Sequence, residues 1–333
     1  MRLTWLVLLL LFIPHGSVEA LQTSHVPVFD GTNAMLHLNQ QCQFGPRPPG
    51  SDNLTLCREY FTGILESFGW TVIEQNFTYL GVECVNLIAR YGAADNATIV
   101  LAAHYDTRPL ADQDPDPANR TRPLLGANDG ASGSAVLLEL SRVLPVSVRS
   151  AVEIVFFDAE DSGGISGWDW IVGSTYYVSQ LNTTRREAIA AMILFDMVGD
   201  KDARFLRERG STRSLQDTVW FLAADMGHDD IFIDTLGGSI LDDHRPFLDV
   251  DIPALDIIQH NPLPSYWHTV EDTPDKCSSI SLQAVGEVAE TFVVSGLAND
   301  GTFVPNPPDF LYIALLVALP IIVVAVLILT KRR

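Results

Sequence analysis

Residues 97–106, ATIVLAAHYD, and residues 151–161, AVEIVFFDAED, are two apolar runs that each end in acidic residues. Between them, GANDGASGSAVLLELSRVL (126–144) joins a Gly-rich turn to apolar residues at helical spacing. A continuous apolar run of this length suits a strand that is buried on both faces. The order strand, turn, helix, strand therefore predicts an α/β domain with a largely parallel sheet.

The sequence on either side extends this pattern. Residues 33–67 are mainly helical in character, interrupted by the loop GPRPPG at 45–50. Strands are predicted at 70–77, 84–91, 97–103, 151–157, 192–195 and 252–258, and further helices at 132–144 and 281–294. No change of composition divides this region, so we predict a single α/β domain at 21–300 with a central mixed, largely parallel β-sheet flanked by helices.

The two ends of the chain read as targeting segments. Residues 1–20 have the layout of a secretory signal peptide, with an uncleaved anchor as the alternative. Residues 310–330 form an apolar stretch long enough for a transmembrane helix, after a Pro-rich spacer at 301–309. The basic tail at 331–333 predicts a cytoplasmic C-terminus. We therefore expect a single-pass type I membrane protein whose domain is extracytoplasmic, in the secretory lumen or at the cell surface.

Composition excludes some classes of partner. The 333-residue chain carries 21 basic and 41 acidic residues, a formal net charge of −20. Binding to nucleic acid needs clustered Lys and Arg, so this balance argues against a nucleic-acid partner. The membrane is expected as a partner through the C-terminal helix alone.

Cysteines and glycosylation sequons fit an oxidising, extracytoplasmic compartment. An even number of cysteines predicts two disulfides, with three pairings open. A zinc site made of all four is the weaker alternative, because no Cys-x-x-Cys pair occurs. The cysteines are Cys42, Cys57, Cys84 and Cys277, and the sequons begin at Asn53, Asn76, Asn96, Asn119 and Asn182.

Polar clusters follow the buried strands, and they suggest a metal site. A single Asp after a strand is usually a helix cap or a turn residue. Six clusters are harder to explain that way, because ligands bind beyond the carboxyl ends of the strands in an open α/β sheet. Carboxylates and imidazoles are zinc ligands, and the adjacent Glu160–Asp161 pair can supply both a ligand and a general base. The clusters are His104–Asp106, Asn128–Asp129, Asp158–Asp161, Asp196, Asp242–His244 and Trp267–His268.

In their order along residues 104–297, these clusters resemble the zinc aminopeptidase superfamily. Its aminopeptidases hold two zincs and hydrolyse peptide bonds, whereas its glutaminyl-peptide cyclotransferases hold one zinc. The segment DDHRPFL (242–248) resembles the cyclotransferase motif, and aminopeptidases commonly have Ser at its first position. Trp267 directly before His268, and the loop DQDPDP (112–117), also look like the cyclotransferase branch.

The resemblance implies a role for each residue. Asp129, Asp161 and His268 would bind zinc, although Glu is more frequent than Asp at position 161. Glu160 would be the general acid/base, with Asp196 and Asp242 in a hydrogen-bonded acidic cluster beside it. Trp267 would line the substrate pocket and Trp168 would lie at its rim, with Trp170 as a close competitor.

The activity implied is zinc-dependent conversion of the N-terminal glutamine of peptides or proteins to pyroglutamate, with release of ammonia. An aminopeptidase with two zincs is the alternative, since His104 and Asp196 match the ligands of the second zinc there. A third possibility is an inactive binding or scaffold protein on the same fold. It is disfavoured, because every position needed for chemistry holds a competent residue.

Overall fold

The computed structural model describes residues 25–92 and 97–297 of the chain. Its strands are β1 (Thr71–Tyr79), β2 (Val82–Arg90), β3 (Ile99–His104), β4 (Val152–Phe157), β5 (Ala191–Asp196), β6 (Phe205–Arg207), β7 (Phe232–Leu236) and β8 (Ala254–Ile258). Its helices are α1 (Gly31–Phe44), α2 (Asp52–Ser67), α3 (Ala131–Val143), α4 (Val146–Arg149), α5 (Val172–Ser179), α6 (Thr183–Ala188), α7 (Arg213–Asp225), α8 (Arg245–Leu248) and α9 (Ser279–Leu297).

Six strands form the central sheet, in the order β1-β2-β4-β3-β5-β8. β3 pairs in parallel with β4 and β5, and β5 pairs in parallel with β8. The hairpin β1–β2 adds two antiparallel strands at one side, while β6 and β7 form a separate two-stranded sheet. The predicted mixed, largely parallel sheet is confirmed, and the carboxyl ends of its four parallel strands share one edge.

Both faces of the sheet are covered by helices. Leu101 and Ala103 of β3 pack into the core formed with α1, α2, α3 and α9. Their neighbours Val100 and Ala102 point to the other face, in a core that includes Phe247 of α8. Side chains alternate along a strand, so a strand covered on both sides needs apolar residues at every position. This explains the apolar runs in the sequence, although β4 also contains the buried Glu153.

The helix α9 lies in the core. Among the described residues it is the one helix long and apolar enough to cross a membrane. However, 61% of its most apolar 18-residue stretch is buried inside the protein. It packs against α1, α3 and α7. The Glu290 carboxylate on α9 accepts the backbone N–H groups of Val28 at 3.0 Å and Phe29 at 2.9 Å. These contacts make α9 a core helix of the fold.

The elements predicted from the sequence are confirmed, with small differences at their ends. α1 and α2 replace the interrupted helix, and β1 and β2 form a hairpin closed by Leu80 and Gly81, both at positive φ. The sequence analysis did not anticipate α5, α6, α7, β6 or β7. Several predictions lie outside the described residues: the signal peptide at 1–20, the spacer at 301–309, the transmembrane helix at 310–330, the tail at 331–333 and the sequon at Asn96.

The prediction of two disulfides is wrong. All four cysteines lie in the described part of the chain, and all four are free. Cys42, Cys57 and Cys277 pack in or against the core around α1, whereas Cys84 packs with Phe77 in a separate small cluster behind the hairpin. Two pairs therefore cannot be made, and the same separation rules out a zinc site of all four cysteines.

A carboxylate and imidazole centre at the carboxyl edge of the sheet

Five of the predicted ligands converge at the carboxyl edge of the parallel strands. His104 ends β3 and Asp196 ends β5, while Asp161 follows β4 by four residues. Asp129 comes from the turn before α3, and His268 from the loop after β8. All five side chains are buried. The expectation that the polar clusters meet at this edge is therefore confirmed for these residues.

The Gly-rich turn directs Asp129 into the site. Gly130 lies so close to the His104 ring that an added Cβ would collide with it, so only glycine fits there. On the other side of the turn, the buried Asp272 carboxylate accepts the N–H of Asn128 at 2.8 Å and the N–H of Asp129 at 3.1 Å. The turn is thus held from both sides, with the Asp129 carboxylate facing the strand ends.

Asp129, Asp161 and His268 form one group, which we call the His268 triad. Nε2 of His268 lies 3.1 Å from Oδ1 of Asp161 and 3.6 Å from Oδ2 of Asp129. One ligand atom from each residue lies within 4.8 Å of the others. Two carboxylates and an imidazole, with a fourth position open, form the ligand set of a catalytic zinc site.

His104, Asp129 and Asp196 form a second group, the His104 triad. Nε2 of His104 lies 3.1 Å from Oδ1 of Asp129 and 3.1 Å from Oδ1 of Asp196. Asp129 therefore turns one carboxylate oxygen towards each triad. A bridging carboxylate between two adjacent metal positions is the arrangement that a site with two metals would need.

The residues of the His268 triad fit a metal. The Oδ2 atom of Asp161 is buried and has no hydrogen-bond partner among the described residues. Buried carboxylates are costly to leave unpaired, so such an atom marks a place where a cation is expected. Nitrogen and oxygen donors at this spacing suit zinc. The described residues thus provide a metal-binding site, as predicted for zinc.

Asp106 connects the His104 ring to the acid pair at 160–161. Its Oδ1 lies 3.4 Å from Nδ1 of His104. Its two oxygens also accept the backbone N–H groups of Glu160 at 3.1 Å and Asp161 at 3.2 Å. Burial opposes the charge of His104, but hydrogen bonds to Asp106 and to the carboxylates of its triad raise its pKa well above the ordinary value.

Glu160 is a buried carboxyl group with a raised pKa. Its side chain is 8% exposed. Burial is the largest cause of the raised pKa; the charge of His104 opposes it, while Asp161 and Asp242 add to it. A general acid/base is most effective when its pKa lies close to the working pH. Burial and the neighbouring carboxylates raise the pKa of Glu160 from its ordinary value towards the neutral range.

Asp196, Asp242, Asp243 and Asp256 form what we call the acid cluster. All four side chains are buried, and burial is the first cause of the raised pKa at each of them. The pKa of Asp242 rises to about 7, through burial and then through the charge of Asp196. Like charges that cannot all ionise together share protons. The acid cluster can therefore hold protons near neutral pH.

His244 and Glu208 extend the acid cluster away from the strand ends. The His244 ring lies between Glu208, with Nε2 to Oε2 at 3.4 Å, and Asp256, with Nδ1 to Oδ2 at 3.6 Å. Burial works against ionisation of Glu208, but hydrogen bonds from His244 and from the N–H of Gly210 lower its pKa to about 2. Sequence reasoning missed Glu208, because no nearby motif marks it.

The tryptophans separate into two positions. Trp267 stacks on the His268 ring, with centroids 3.6 Å apart and planes at 22°. Trp170 also stacks on His268, with ring centroids 6.0 Å apart and ring planes at 11°. Trp168 instead packs on Tyr79, with centroids 5.2 Å apart. Of the two candidates for the rim, Trp170 is therefore the one in contact with a predicted zinc ligand.

Arg108 is a further site residue that sequence reasoning missed. Its guanidinium is 4.7 Å from the centre of the Trp170 ring. Nη1 donates to Oδ1 and to the backbone oxygen of Asp161, both at 3.3 Å. Its side chain is buried. A weak signal was present, since Arg108 follows the His104–Asp106 pair by two residues and precedes Asp112 by four.

Three residues at the site have a left-handed backbone. Their φ angles are 59° at Ala159, 46° at Met197 and 54° at His268. Each residue is a predicted ligand or is next to a predicted ligand or acid–base residue. Such conformations cost about 1–3 kcal/mol each and persist where the surrounding structure imposes them. The backbone is thus strained at these three positions, where side chains of the site must be aimed.

Comparison with known proteins agrees with this geometry. A glutaminyl-peptide cyclotransferase from Bos taurus is 24% identical over 254 residues, which cover 64% of this chain and 66% of that protein. The glutaminyl cyclase structure of Bacteroides thetaiotaomicron, bound to N-acetylhistamine, superposes with a TM-score of 0.73 at 34% identity, covering 81% of this chain and 99% of that one.

A Zn-dependent exopeptidase from Parabacteroides distasonis is also similar, with a TM-score of 0.73 at 32% identity over 81% of this chain and 99% of that one. The zinc aminopeptidase-like fold expected from the sequence is therefore confirmed, and so is the resemblance to glutaminyl cyclases. Residues 86–293, more than half of the chain, match peptidase family M28. The chain belongs to peptidase family M28.

Proposed function

We propose that this chain is a zinc-dependent glutaminyl-peptide cyclotransferase, an ammonia-releasing acyltransferase that acts on peptides or proteins with N-terminal glutamine. The observation that carries the proposal is Asp242. It is a buried carboxyl group with a pKa of about 7, and its charge acts on Glu160. Cyclisation needs one group that takes a proton and returns it near neutral pH, and this pairing supplies that property.

In the proposed reaction the α-amine of glutamine attacks its own γ-carboxamide carbon. Asp129, Asp161 and His268 would hold the zinc, which when bound supplies Lewis-acid polarisation of the carboxamide oxygen. Glu160 takes a proton from the attacking amine and later gives a proton to the leaving –NH₂ group. One C–N bond forms, one breaks, and ammonia leaves, so the proton count balances.

Asp242 and Asp196 would keep Glu160 ready for both proton transfers. A carboxylate close to another carboxyl group raises its pKa, because two adjacent negative charges repel each other. Asp242 and Asp196 are both buried; the charge of Asp196 raises the pKa of Asp242, and the charge of Asp242 raises the pKa of Glu160. In the proposal, the shared proton lets Glu160 act as base and then as acid without exchange with bulk water.

The tryptophan beside His268 would shape the substrate. The reacting amine and carboxamide belong to one residue, so the pocket must fold the glutamine side chain back on its own backbone. Trp267 stacks on His268 at 3.6 Å and offers a flat apolar wall at the ligand. Such a wall excludes water, which would otherwise hydrolyse the carboxamide. We assign the rim of this pocket to Trp170 and place Trp168 further out.

An aminopeptidase with two zincs is the second candidate, and the His104 triad is the observation that favours it. His104, Asp129 and Asp196 offer a complete set of ligand atoms within 4.8 Å of one another. Metal content tests the difference: the cyclotransferase proposal expects one zinc for each chain, and the aminopeptidase expects two.

We also propose a topology for the whole chain. Residues 21–300 would form the catalytic domain outside the cytoplasm, after a signal peptide at 1–20 and before a transmembrane helix at 310–330. Two sequon asparagines, Asn76 and Asn182, are exposed, as glycosylation requires. Protease protection of sealed microsomes carrying the full chain tests this orientation.

The test of the activity uses the full-length protein in detergent with zinc, one peptide that begins with Gln and one that begins with Leu. We expect the Gln peptide to lose ammonia and the Leu peptide to remain intact, both followed by mass spectrometry. Release of the first residue from the Leu peptide would establish the aminopeptidase instead. No change in either peptide would favour a binding protein on this fold.

A further inference from the structure

An acidic loop at 111–116 is docked against the segment that carries His268. The N–H of Gln113 donates to the backbone oxygen of His268 at 3.2 Å. The buried Asp114 carboxylate accepts the N–H of Val270 at 3.1 Å. The loop is therefore attached to the chain at His268 and two residues after it, and Asp112 lies beside the His268 ring.

The His268 ring presents one nitrogen to the triad and the other to Asp112. Nε2 faces Asp161 and Asp129, as described above. Nδ1 lies 3.8 Å from Oδ1 of Asp112, is buried, and has no hydrogen-bond partner among the described residues. A histidine that binds metal through one nitrogen usually donates its other N–H to a carboxylate or carbonyl, which fixes the tautomer. Asp112 stands at that place.

Arg108 fixes the Asp112 carboxylate in this position. Nε and Nη2 of Arg108 donate to Oδ1 and Oδ2 of Asp112 at 2.7 and 2.8 Å, a bidentate pair. The remaining nitrogen donates to Asp161, and the guanidinium stacks on Trp170, which in turn packs on His268. One guanidinium therefore contacts both Asp112 and Asp161, the carboxylates that face the two nitrogens of the His268 ring. A Lys could not reproduce the planar fork.

We propose that Arg108 and Asp112 are positioning residues for the metal ligands. Asp112 receives the Nδ1–H of His268, which leaves the Nε2 lone pair free for zinc, and Arg108 aligns the carboxylates of Asp112 and Asp161. This inference rests on the zinc site of the proposed function, and it holds for either reaction of that site. The negative charge of Asp112 is secured by Arg108, whose hydrogen bonds lower the pKa of that carboxyl.

The test measures zinc affinity by competition with a chelator in the full-length protein. We expect Asp112→Ala to weaken zinc binding about 10-fold to 100-fold, the usual cost of losing such an outer partner. Asp112→Asn keeps an acceptor for Nδ1–H and should recover part of that loss. Arg108→Lys keeps the charge without the fork and should weaken binding by roughly threefold to tenfold. Asp116→Ala, on the exposed part of the same loop, is the matched control.

A second readout separates positioning from a general loss of structure. The ¹H and ¹⁵N shifts of the Nδ1–H group of His268 in the zinc-loaded protein report the hydrogen bond that this group donates. We expect a downfield, slowly exchanging Nδ1–H proton in the wild type and its loss or an upfield shift in Asp112→Ala, with the melting temperature of each variant as the folding control. An unchanged Nδ1–H signal, or zinc affinity within twofold of the Asp116→Ala control, would overturn the proposal.

Failure of the proposed function is a distinct outcome. If the wild type binds zinc but does not cyclise the Gln peptide, the cyclotransferase assignment fails while the affinity ratios still test the positioning residues. If the wild type binds no zinc, both proposals fail together.

Discussion

The two triads share Asp129, but the charges around them differ. Beside the His268 triad, a guanidinium lies 3.3 Å from Asp161 and an ionised Asp112 faces the imidazole. Beside the His104 triad, the acid cluster presents several buried carboxyl groups, and the cations that lower the pKa of Asp242 are the imidazoles of His244 and His104. Burial raises the pKa of Asp161 in the first triad and of Asp196 in the second; beside Asp161 a permanently charged guanidinium opposes the rise, whereas beside Asp196 the opposing cation is the His104 imidazole.

This comparison teaches how one fold can support two chemistries. The metal ligands are almost the same on both sides, so the ligand set alone does not choose between one and two metals. The neighbours of each triad decide what it holds, because a carboxyl group that retains a proton is a poor ligand for a cation. We therefore expect the His268 triad to be the occupied one.

The largest effect should come from removing a ligand on the metal side. His268→Ala should abolish zinc binding and lower kcat/KM roughly a thousandfold or more, since Lewis-acid assistance is worth several kcal/mol. The corresponding variant of the His104 triad, His104→Ala, should still bind one zinc for each chain. Elemental analysis of both variants makes the measurement. The opposite result, with zinc lost only in His104→Ala, would reverse the roles of the two triads.

The next effect should come from the group that moves the proton. Glu160→Gln keeps the shape of the side chain but removes its basicity, so we expect kcat to fall about 10²–10⁴-fold. Zinc content should remain that of the wild type, because Glu160 belongs to neither triad. Steady-state kinetics and metal analysis on the same preparation test this. If zinc were lost as well, Glu160 would have to be counted among the ligands.

A smaller effect should come from the acid cluster. Asp242→Asn removes a negative charge that raises the pKa of Glu160, so the pKa of Glu160 should fall. Because Glu160 must begin as a base, the acidic limb of the profile of kcat/KM against pH should move to lower pH. The rate near pH 7 should fall about tenfold, as the return of the proton becomes slower.

The control for this experiment is the zinc content, which should not change in Asp242→Asn. The amide oxygen of Asn can still accept the N–H of Asp243, which the Asp242 carboxylate accepts at 2.6 Å. A profile that keeps its acidic limb in place would mean that Asp242 does not share a proton with Glu160.

The smallest effect should appear in the β1–β2 turn, which contributes no residue to either triad. Leu80 is 59% exposed in the β1–β2 turn with φ at 48°, and Gly81 follows at 82°. Asn-Gly is the preferred pair for a two-residue hairpin turn with positive φ at both positions. Leu80→Asn should therefore stabilise the protein by about 0.5–1 kcal/mol in urea unfolding. Activity should not change; a large change would show that the hairpin is coupled to the site.

The sequence predicted the centre of the site well, because its residues follow strands. A buried parallel strand is recognisable from its apolar run, and the first polar residue after it must lie at the carboxyl edge. His104 and Asp196 are of this kind, and Asp161 follows the end of β4 by four residues. Asp129 could be predicted for a related reason, since glycines on both sides of it mark a tight turn before a helix.

The surroundings of the site could not be predicted in the same way. Arg108, Trp170 and Glu208 reach the site from loops and from the β6–β7 region, where position depends on tertiary packing. The choice of Trp168 over Trp170 shows the limit: two residues in one loop differ in which partner they meet. The prediction of disulfides was wrong for a similar reason, because the number of cysteines gives no information on which side of the sheet each one lies.

The position of α9 has a consequence for how the protein is made. Glu290 near the end of this helix ties down Val28 and Phe29, and α9 packs on α1 and α3. The earliest and latest described segments thus meet in one core, and contacts of such sequence separation slow folding. A ribosome must deliver nearly all of residues 25–297 before that core can close. Until then the growing chain exposes the apolar faces of α1 and α3, and surfaces of this kind favour aggregation during synthesis.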